Sequence, residues 1–213
     1  MKEIKITRIA SHKIRKNLIT IYNKYARKRA AYQKQNWKKR ERKEFLYYLK
    51  WEKKTTILEI GAGTGLDSLF FKRYGFKVTT TDISTKQIKI CKERGLPAHV
   101  LDIYEIHKLK KKFDAIYAFN CLLHIPKADL ENILKKIKKV LNENGLLYIG
   151  VYGGTDFEGI LEEDKFEPKR FFSFYHTNKI LKIVQKYFKL EYFRHIAPFK
   201  DGGTFQSMIL RKV

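Results

Sequence analysis

An acid and three alternate glycines, Glu59, Gly61, Gly63 and Gly65, close the apolar run in the stretch ILEIGAGTGLD. A strand that turns on glycines into a helix lets a ligand approach the backbone and offers it the free N–H groups of a helix start. The spacing GxGxG is one residue tighter than the GxGxxG of dinucleotide pyrophosphate sites, and no Lys-Ser/Thr pair follows to cradle a phosphate. Glu59, two residues before the first glycine, would repel a phosphate and attract a cation, so the loop suits a positively charged or zwitterionic cofactor. Asp82 in VTTTDIS lies 21 residues after Gly61. Placed at a strand tip, it can accept hydrogen bonds from both hydroxyls of a ribose. Asp102 in HVLDI is the third acid and can accept from an adenine amino group. Three acids at the ends of three successive strands describe a ligand-binding edge.

Those roles require a particular scaffold. From residue 55 onward, short apolar runs (Thr56 to Ile60, Lys77 to Thr81, Ala98 to Leu101, Phe113 to Phe119, Leu146 to Val151) alternate with amphipathic segments. Runs so continuously apolar belong to strands covered on both faces. Ser84 and Gln87 form a capping box that opens a helix to Arg94. Residues Asp129 to Asn142 carry Leu130, Ile133, Leu134, Ile137, Val140 and Leu141 on one face before Gly145. Strand and helix in alternation predict an α/β fold with a doubly wound, mostly parallel sheet. Residues 152–178 read as a long connection, and a helix follows from Asn178 to Phe188. Two final strands, Leu190 to Ile196 and Thr204 to Leu210, with a turn at Asp201-Gly202-Gly203, predict an antiparallel hairpin that completes seven strands.

Composition narrows the class. The 213 residues suffice for one domain with a full core, and 44% hydrophobic residues indicate a globular chain. The net charge is +24, and residues 1–54 hold 19 Lys and Arg against 4 acids. Residues 11–50 contain neither Gly nor Pro and predict two basic helices, so the chain divides into a helical cap, 1–54, and a binding domain, 55–213. That arm suits a polyanion such as RNA; equally, a lysine-rich composition decorates solvated helix faces with no partner. Cys91 and Cys121 form no CxxC pair, disulfide framework or metal-ligand spacing. Together with the lack of a leader-like or membrane-spanning apolar run, they predict a protein of the reducing cytoplasm that uses no membrane and no metal. The sequence specifies no oligomeric state.

The ordered set ILEIGAGTGLD, VTTTDIS, HVLDIYEI, FDAIYAFNCLLHIPKADL and VLNENGLLYIGVY resembles the motifs of class I S-adenosylmethionine-dependent methyltransferases, from residue 55 to the end. IYNKYA, LLHIPKADL and RFFSFYHTNKI are similar to segments of small, mostly uncharacterised bacterial and archaeal members. The resemblance implies a Rossmann-like sheet with a terminal antiparallel hairpin. By it, Glu59, Gly61, Ala62, Gly63 and Gly65 hold the methionine part of S-adenosylmethionine, Asp82 with Ile83 the ribose, and Asp102 with Ile103 the adenine. Asn120 and Cys121 back the methionine end, and S-adenosylhomocysteine is the product. Thr81 departs from the small apolar residue or glycine usual before the ribose acid.

The sulfonium is already activated, so transfer needs alignment of a nucleophile and, for a hydroxyl or ammonium, a proton acceptor. His124, after the fourth strand, is the candidate base; it can equally be a structural histidine. Arg170, Tyr175 and His176 form a second cluster suited to a polar or anionic substrate group, with Tyr175 a further catalytic candidate. Tyr22 and Tyr25 can close over the cofactor or simply be buried. NCLL replaces the Asn/Asp-Pro-Pro-Tyr/Phe of adenine N-methylation, and Cys121 lacks the preceding proline of cytosine C5 chemistry. What remains is O- or N-methylation of a small molecule. An RNA methyltransferase that grips phosphates through residues 11–54, and a non-catalytic nucleoside-binding module, are the alternatives.

Overall fold

The computed structural model describes residues 10–196 and 204–213. Seven strands form one sheet in the order β3-β2-β1-β4-β5-β9-β8. They are β1 (Thr56–Ile60), β2 (Lys77–Asp82), β3 (Ala98–Val100), β4 (Phe113–Phe119), β5 (Leu141–Gly153), β8 (Phe188–Ile196) and β9 (Thr204–Lys212). β1 to β5 run parallel, whereas β9 is antiparallel to both β5 and β8. The order reverses between β1 and β4, the switch point at which open α/β sheets leave a crevice. The hairpin turn expected at Asp201-Gly202-Gly203 lies outside the described residues.

Alternation along the central strands explains their continuous apolarity. Leu58, Ile116, Ala118, Leu147 and Ile149 face one layer, covered by α6 (Lys127–Lys139) and α7 (Thr177–Val184). Ile57, Ala115, Tyr117, Leu146 and Tyr148 face the other, where α3 (Asn36–Trp51) and α4 (Leu66–Arg73) bring Phe45, Leu46, Leu49 and Phe71. Successive residues of a strand point to opposite faces, so each of these strands is apolar on both. Phe45 packs against Phe71, Tyr117 and Tyr148 at ring separations of 6.1, 5.7 and 5.5 Å. Its burial alone is worth ~1.5–3 kcal/mol.

The basic segment before residue 55 is built into this core. α1 (Ser11–Lys24) lays Ile14 and Leu18 against Phe171. Asn23 at its end presents Oδ1 to the N-terminus of α5 (Thr85–Glu93), accepting from Ser84 Oγ at 2.7 Å and the Lys86 N–H at 3.0 Å. A break at Tyr25 and a non-helical stretch at 32–35 give three helical pieces, α1, α2 (Ala26–Ala30) and α3, where two were expected.

Other boundaries shift for identifiable reasons. The helix expected to reach Asn142 stops at Lys139, because Leu141 already pairs with Phe113 at the start of β5. The helix expected to reach Phe188 stops at Val184, since Phe188 opens β8. The connection 152–178 contains a separate antiparallel pair, β6 (Phe157–Ile160) with β7 (Phe171–Phe174). The run FFSF hides the alternation there: Phe171 faces α1, whereas Phe172 faces the main core.

Candidate functional site

At the carboxyl ends of β1, β2 and β4, roofed by α1, α2 and the start of α3, lies a cavity of about 540 Å³. The glycine turn forms its floor. Gly61 has φ +64°, and a Cβ there would meet Cys121 Sγ at 2.6 Å; Gly65 has φ +78°, and a Cβ would meet Leu96 at 2.5 Å. Thus the protein's own side chains, beyond β4 and α5, exclude larger residues at these two positions. Gly61, Ala62 and Gly63 line the cavity, while Gly65 sits behind the loop, donating its N–H to Ala62 O at 3.0 Å.

The acids stand on this floor. Glu59 is 3% exposed and accepts from Ser68 Oγ, which in turn accepts from Thr80 Oγ1 at 2.8 Å. Burial, reinforced by the charge of Asp67, pushes the Glu59 carboxyl well up. Asp82, the last residue of β2, accepts the Gly63 N–H and the Ser84 N–H, each at 2.8 Å. Burial nevertheless pushes its carboxyl up to about 6. Asp102 lies two residues beyond β3, where it caps the 3-10 turn Ile103–Lys108 through the Tyr104 N–H and pairs with Arg15 at 3.0 Å. Ile83 and Ile103 line the cavity beside these acids.

Two buried acceptors complete the floor. Only half of the expected capping box forms: Ser84 Oγ accepts the Gln87 N–H, but the Ser84 N–H is taken by Asp82. Among the described residues Gln87 Oε1 is left buried without a partner, as is Asn120 Oδ1, whose backbone is held at φ +54°. Both residues line the cavity. A donor-rich ligand is what such a set lacks, because buried acceptors are almost always paired. S-adenosylmethionine carries an ammonium, ribose hydroxyls and an adenine amino group, and the residues present fit it. Cys121 also lines the cavity, and burial pushes its thiol far above the usual range.

The far wall is different. His124 is bonded at both ring nitrogens, Nδ1 to Phe171 O and Nε2 to Tyr22 Oη, both at 2.7 Å. A carbonyl only accepts, so Nδ1 carries the proton and Nε2 accepts from the Tyr22 hydroxyl. Burial, aided by the charge of Arg170, lowers the imidazole to about 3. Arg170 Nη1 donates to Tyr22 Oη at 3.1 Å and the guanidinium clamps Asp164 at 2.8 and 2.7 Å. Tyr22, His124 and Arg170 therefore meet in one network on the cavity wall. Tyr175 and His176 do not join it. Tyr175 is buried in the main core under Lys127, and His176 is exposed, its Nδ1 bonded to Gly154 O at 2.9 Å. Tyr25 stands outside the lining and packs on Phe166, which is part of it, at 4.8 Å.

Sequence reasoning passed over the basic residues of the roof. Arg15, Arg29, Lys34 and Lys38 all line the cavity, inside a segment where lysine is everywhere. One signal was available for Lys38: it shares the buried stripe of α3 with Glu41, Phe45 and Leu49. Among the described residues, no group of His, Cys, Asp and Glu could hold a metal ion.

A family model described as a methyltransferase domain matches residues 22–201. The chain belongs to this methyltransferase-domain family. It is 32% identical over 108 residues to a ubiquinone biosynthesis O-methyltransferase of Pelagibacter ubique, covering 48% of this chain and 44% of that one, so it spans less than half of that relative's length. The structure of a Burkholderia thailandensis 1,6-didemethyltoxoflavin-N1-methyltransferase, with its substrate and S-adenosylhomocysteine bound, aligns with a TM-score of 0.76 at 17% identity, over 99% of this chain and 93% of that one. The N-methyltransferase NodS of Bradyrhizobium japonicum, also with S-adenosylhomocysteine, gives 0.65 at 12% identity, over 90% and 98%. These two likenesses are ones of fold. They bear out the seven-stranded sheet with its antiparallel hairpin.

Proposed function

We propose that this methyltransferase-domain protein moves the methyl group of S-adenosylmethionine to oxygen or nitrogen of a small molecule. The observation that carries the reading is the acceptor-rich floor: Glu59, Asp82, Asp102 and the unpartnered Gln87 Oε1 and Asn120 Oδ1, converging on one cavity at the switch point. When bound, S-adenosylmethionine supplies a sulfonium methyl that an aligned nucleophile takes by direct displacement. Glu59 faces the cationic end of that ligand, Asp82 and Ile83 its ribose, and Asp102 and Ile103 its base. Gly61, Ala62 and Gly63 bring backbone close to it, and Asn120 and Cys121 close the cavity behind the methionine.

The far wall orients the acceptor. His124, lowered to about 3 and already accepting from Tyr22, is a weak base at neutral pH. Its role here is to hold the Tyr22 hydroxyl, with Arg170 fixing the same oxygen from the other side. A wall with so little basicity suits an acceptor that is ionised beforehand or sheds its proton to water. Tyr22 and Arg170 are the substrate-side contacts; Tyr25 acts through Phe166.

One observation favours a second reading, RNA. Tyr47 and Trp51 are 61% and 76% exposed and stacked at 6.3 Å, beside exposed Arg40, Lys43 and Lys50, a surface of the kind on which bases stack. Trp51 lies at the amino end of β1, however, while the cavity opens at its carboxyl end. The small-molecule reading therefore stands first. Among the described residues no helix is long and apolar enough to cross a membrane. Two free thiols, Cys91 and Cys121, support a reducing cytoplasm as the location.

Isothermal titration with S-adenosylhomocysteine tests the proposal. Micromolar binding that Asp82→Ala abolishes is expected; identical heats from both proteins would overturn it.

A further inference from the structure

The charges of the cavity do not balance from one side to the other. Three cations of its lining are matched locally: Arg15 by Asp102, Arg170 by Asp164, and Lys34 by Asp67, which also takes Arg42 Nη1 at 2.8 Å. Lys38 has no such match. It is only 9% exposed, lines the cavity, and donates no hydrogen bond to any of the described residues. Glu41, its neighbour on the buried stripe of α3, is taken by Arg194 at 3.1 Å. What surrounds the Lys38 ammonium is aromatic: the rings of Trp37, Tyr152 and Tyr32 lie 5.0, 5.5 and 5.8 Å from it.

Further cations act on the same group. Burial lowers Lys38 to about 8, and the charges that add to the effect are those of Lys34, Arg29 and Lys165. They come from three separate segments: the stretch before α3, α2, and the connection between β6 and β7. Arg29 and Lys165 also line the cavity, and among the described residues neither has an ion-pair contact. Like charges gathered in a half-enclosed space repel one another unless an anion joins them. Enclosure also favours a small anion over a polymer backbone, since Lys38 as a whole is mostly buried.

We propose that the methyl acceptor is a small anion whose carboxylate or phosphate is seated by Lys38, with the charges of Arg29 and Lys165 adding to the attraction. This inference rests on the methyltransferase reading and names the substrate class of that site. An anionic acceptor also agrees with a wall that lacks a strong base. The methionine carboxylate of the cofactor is the other source of such an anion, and the test separates the two.

Inorganic phosphate is titrated into the protein saturated with S-adenosylhomocysteine, and separately with 5′-methylthioadenosine, which lacks the amino-acid part. Saturable phosphate binding to both complexes is expected, weakened roughly tenfold or more by Lys38→Met and less by Lys165→Ala, as loss of a charged hydrogen bond implies. Affinity for S-adenosylhomocysteine should stay within about threefold in both variants, because the floor is untouched. Lys38→Met removes an unpaired buried charge and should not lower the melting temperature. Phosphate that fails to bind, or that binds Lys38→Met as tightly as the parent, overturns the proposal. So does phosphate that binds only the methylthioadenosine complex while Lys38→Met weakens S-adenosylhomocysteine, since the cations then serve the cofactor. Failure of the parent to bind S-adenosylhomocysteine at all is a different result, and it strikes the methyltransferase reading instead.

Discussion

The floor and the roof of the cavity carry opposite charge and are made in opposite ways. The floor is acidic, and its acids are fixed mostly along the sheet edge: Asp82 by the N–H groups of Gly63 and Ser84, Glu59 by Ser68, and Asp102 by its own cap, to which Arg15 of the roof adds an ion pair. The roof is basic, and its cations arrive from α1, α2, α3 and the connection between β6 and β7, held by contacts over a hundred residues apart in sequence, such as Tyr22 to His124 and Arg170 to Tyr22. A cofactor common to many reactions can be recognised by a local device. The acceptor, which differs from one enzyme to the next, is met by parts that tertiary structure alone brings together.

Perturbing the floor should have the largest effects. Asp82→Ala removes the acceptor for two backbone donors and for the ribose, and is expected to cost at least about 100-fold in affinity for S-adenosylhomocysteine by titration. Gly61→Ala places a Cβ 2.6 Å from Cys121 Sγ at positive φ and should lower stability by about 1–3 kcal/mol in urea denaturation. An unchanged midpoint would mean that the turn is not held as described.

Legibility in the sequence follows the same division. Glu59, Asp82 and the glycine turn could be read because strand ends and glycine spacing are local signals. The pair β6 and β7 could not, because four consecutive apolar and small residues, FFSF, mask a period of two. Proximity in sequence groups Arg170 with Tyr175 and His176. The chain instead leaves β7 after Phe174, so only Arg170 faces the cavity. Many lysines surround Lys38 in the sequence, although its place on an apolar stripe distinguishes it.

Acidity provides a smaller test of the floor. Burial raises Asp82 above its ordinary value to about 6. A carboxyl raised on folding penalises the folded state above its native pKa, and the penalty is relieved as pH falls through that value. Ligand binding has the reverse sign, because the ribose hydroxyls need the ionised form. Affinity for S-adenosylhomocysteine should therefore fall about tenfold between pH 7 and pH 5, and Asp82→Asn should flatten the profile.

The roof should respond differently. Tyr22→Phe leaves His124 Nε2 and Arg170 Nη1 short of a partner, at a stability cost of about 1–3 kcal/mol by thermal unfolding. It should leave S-adenosylhomocysteine affinity within about threefold. A large loss of that affinity would erase the distinction between floor and roof. The smallest effect is expected from Trp51→Ala at the far end of the sheet: no change in nucleoside binding, with any salt-sensitive RNA binding reduced.

The acidic floor is proposed to receive S-adenosylmethionine. Titrating the parent protein and Asp82→Ala side by side with S-adenosylhomocysteine at pH 7.5 tests it most directly, at roughly a pH unit or more above the Asp82 value. Micromolar binding by the parent and none measurable in the variant are expected. Absence of binding in the parent, or equal binding in both, would contradict it.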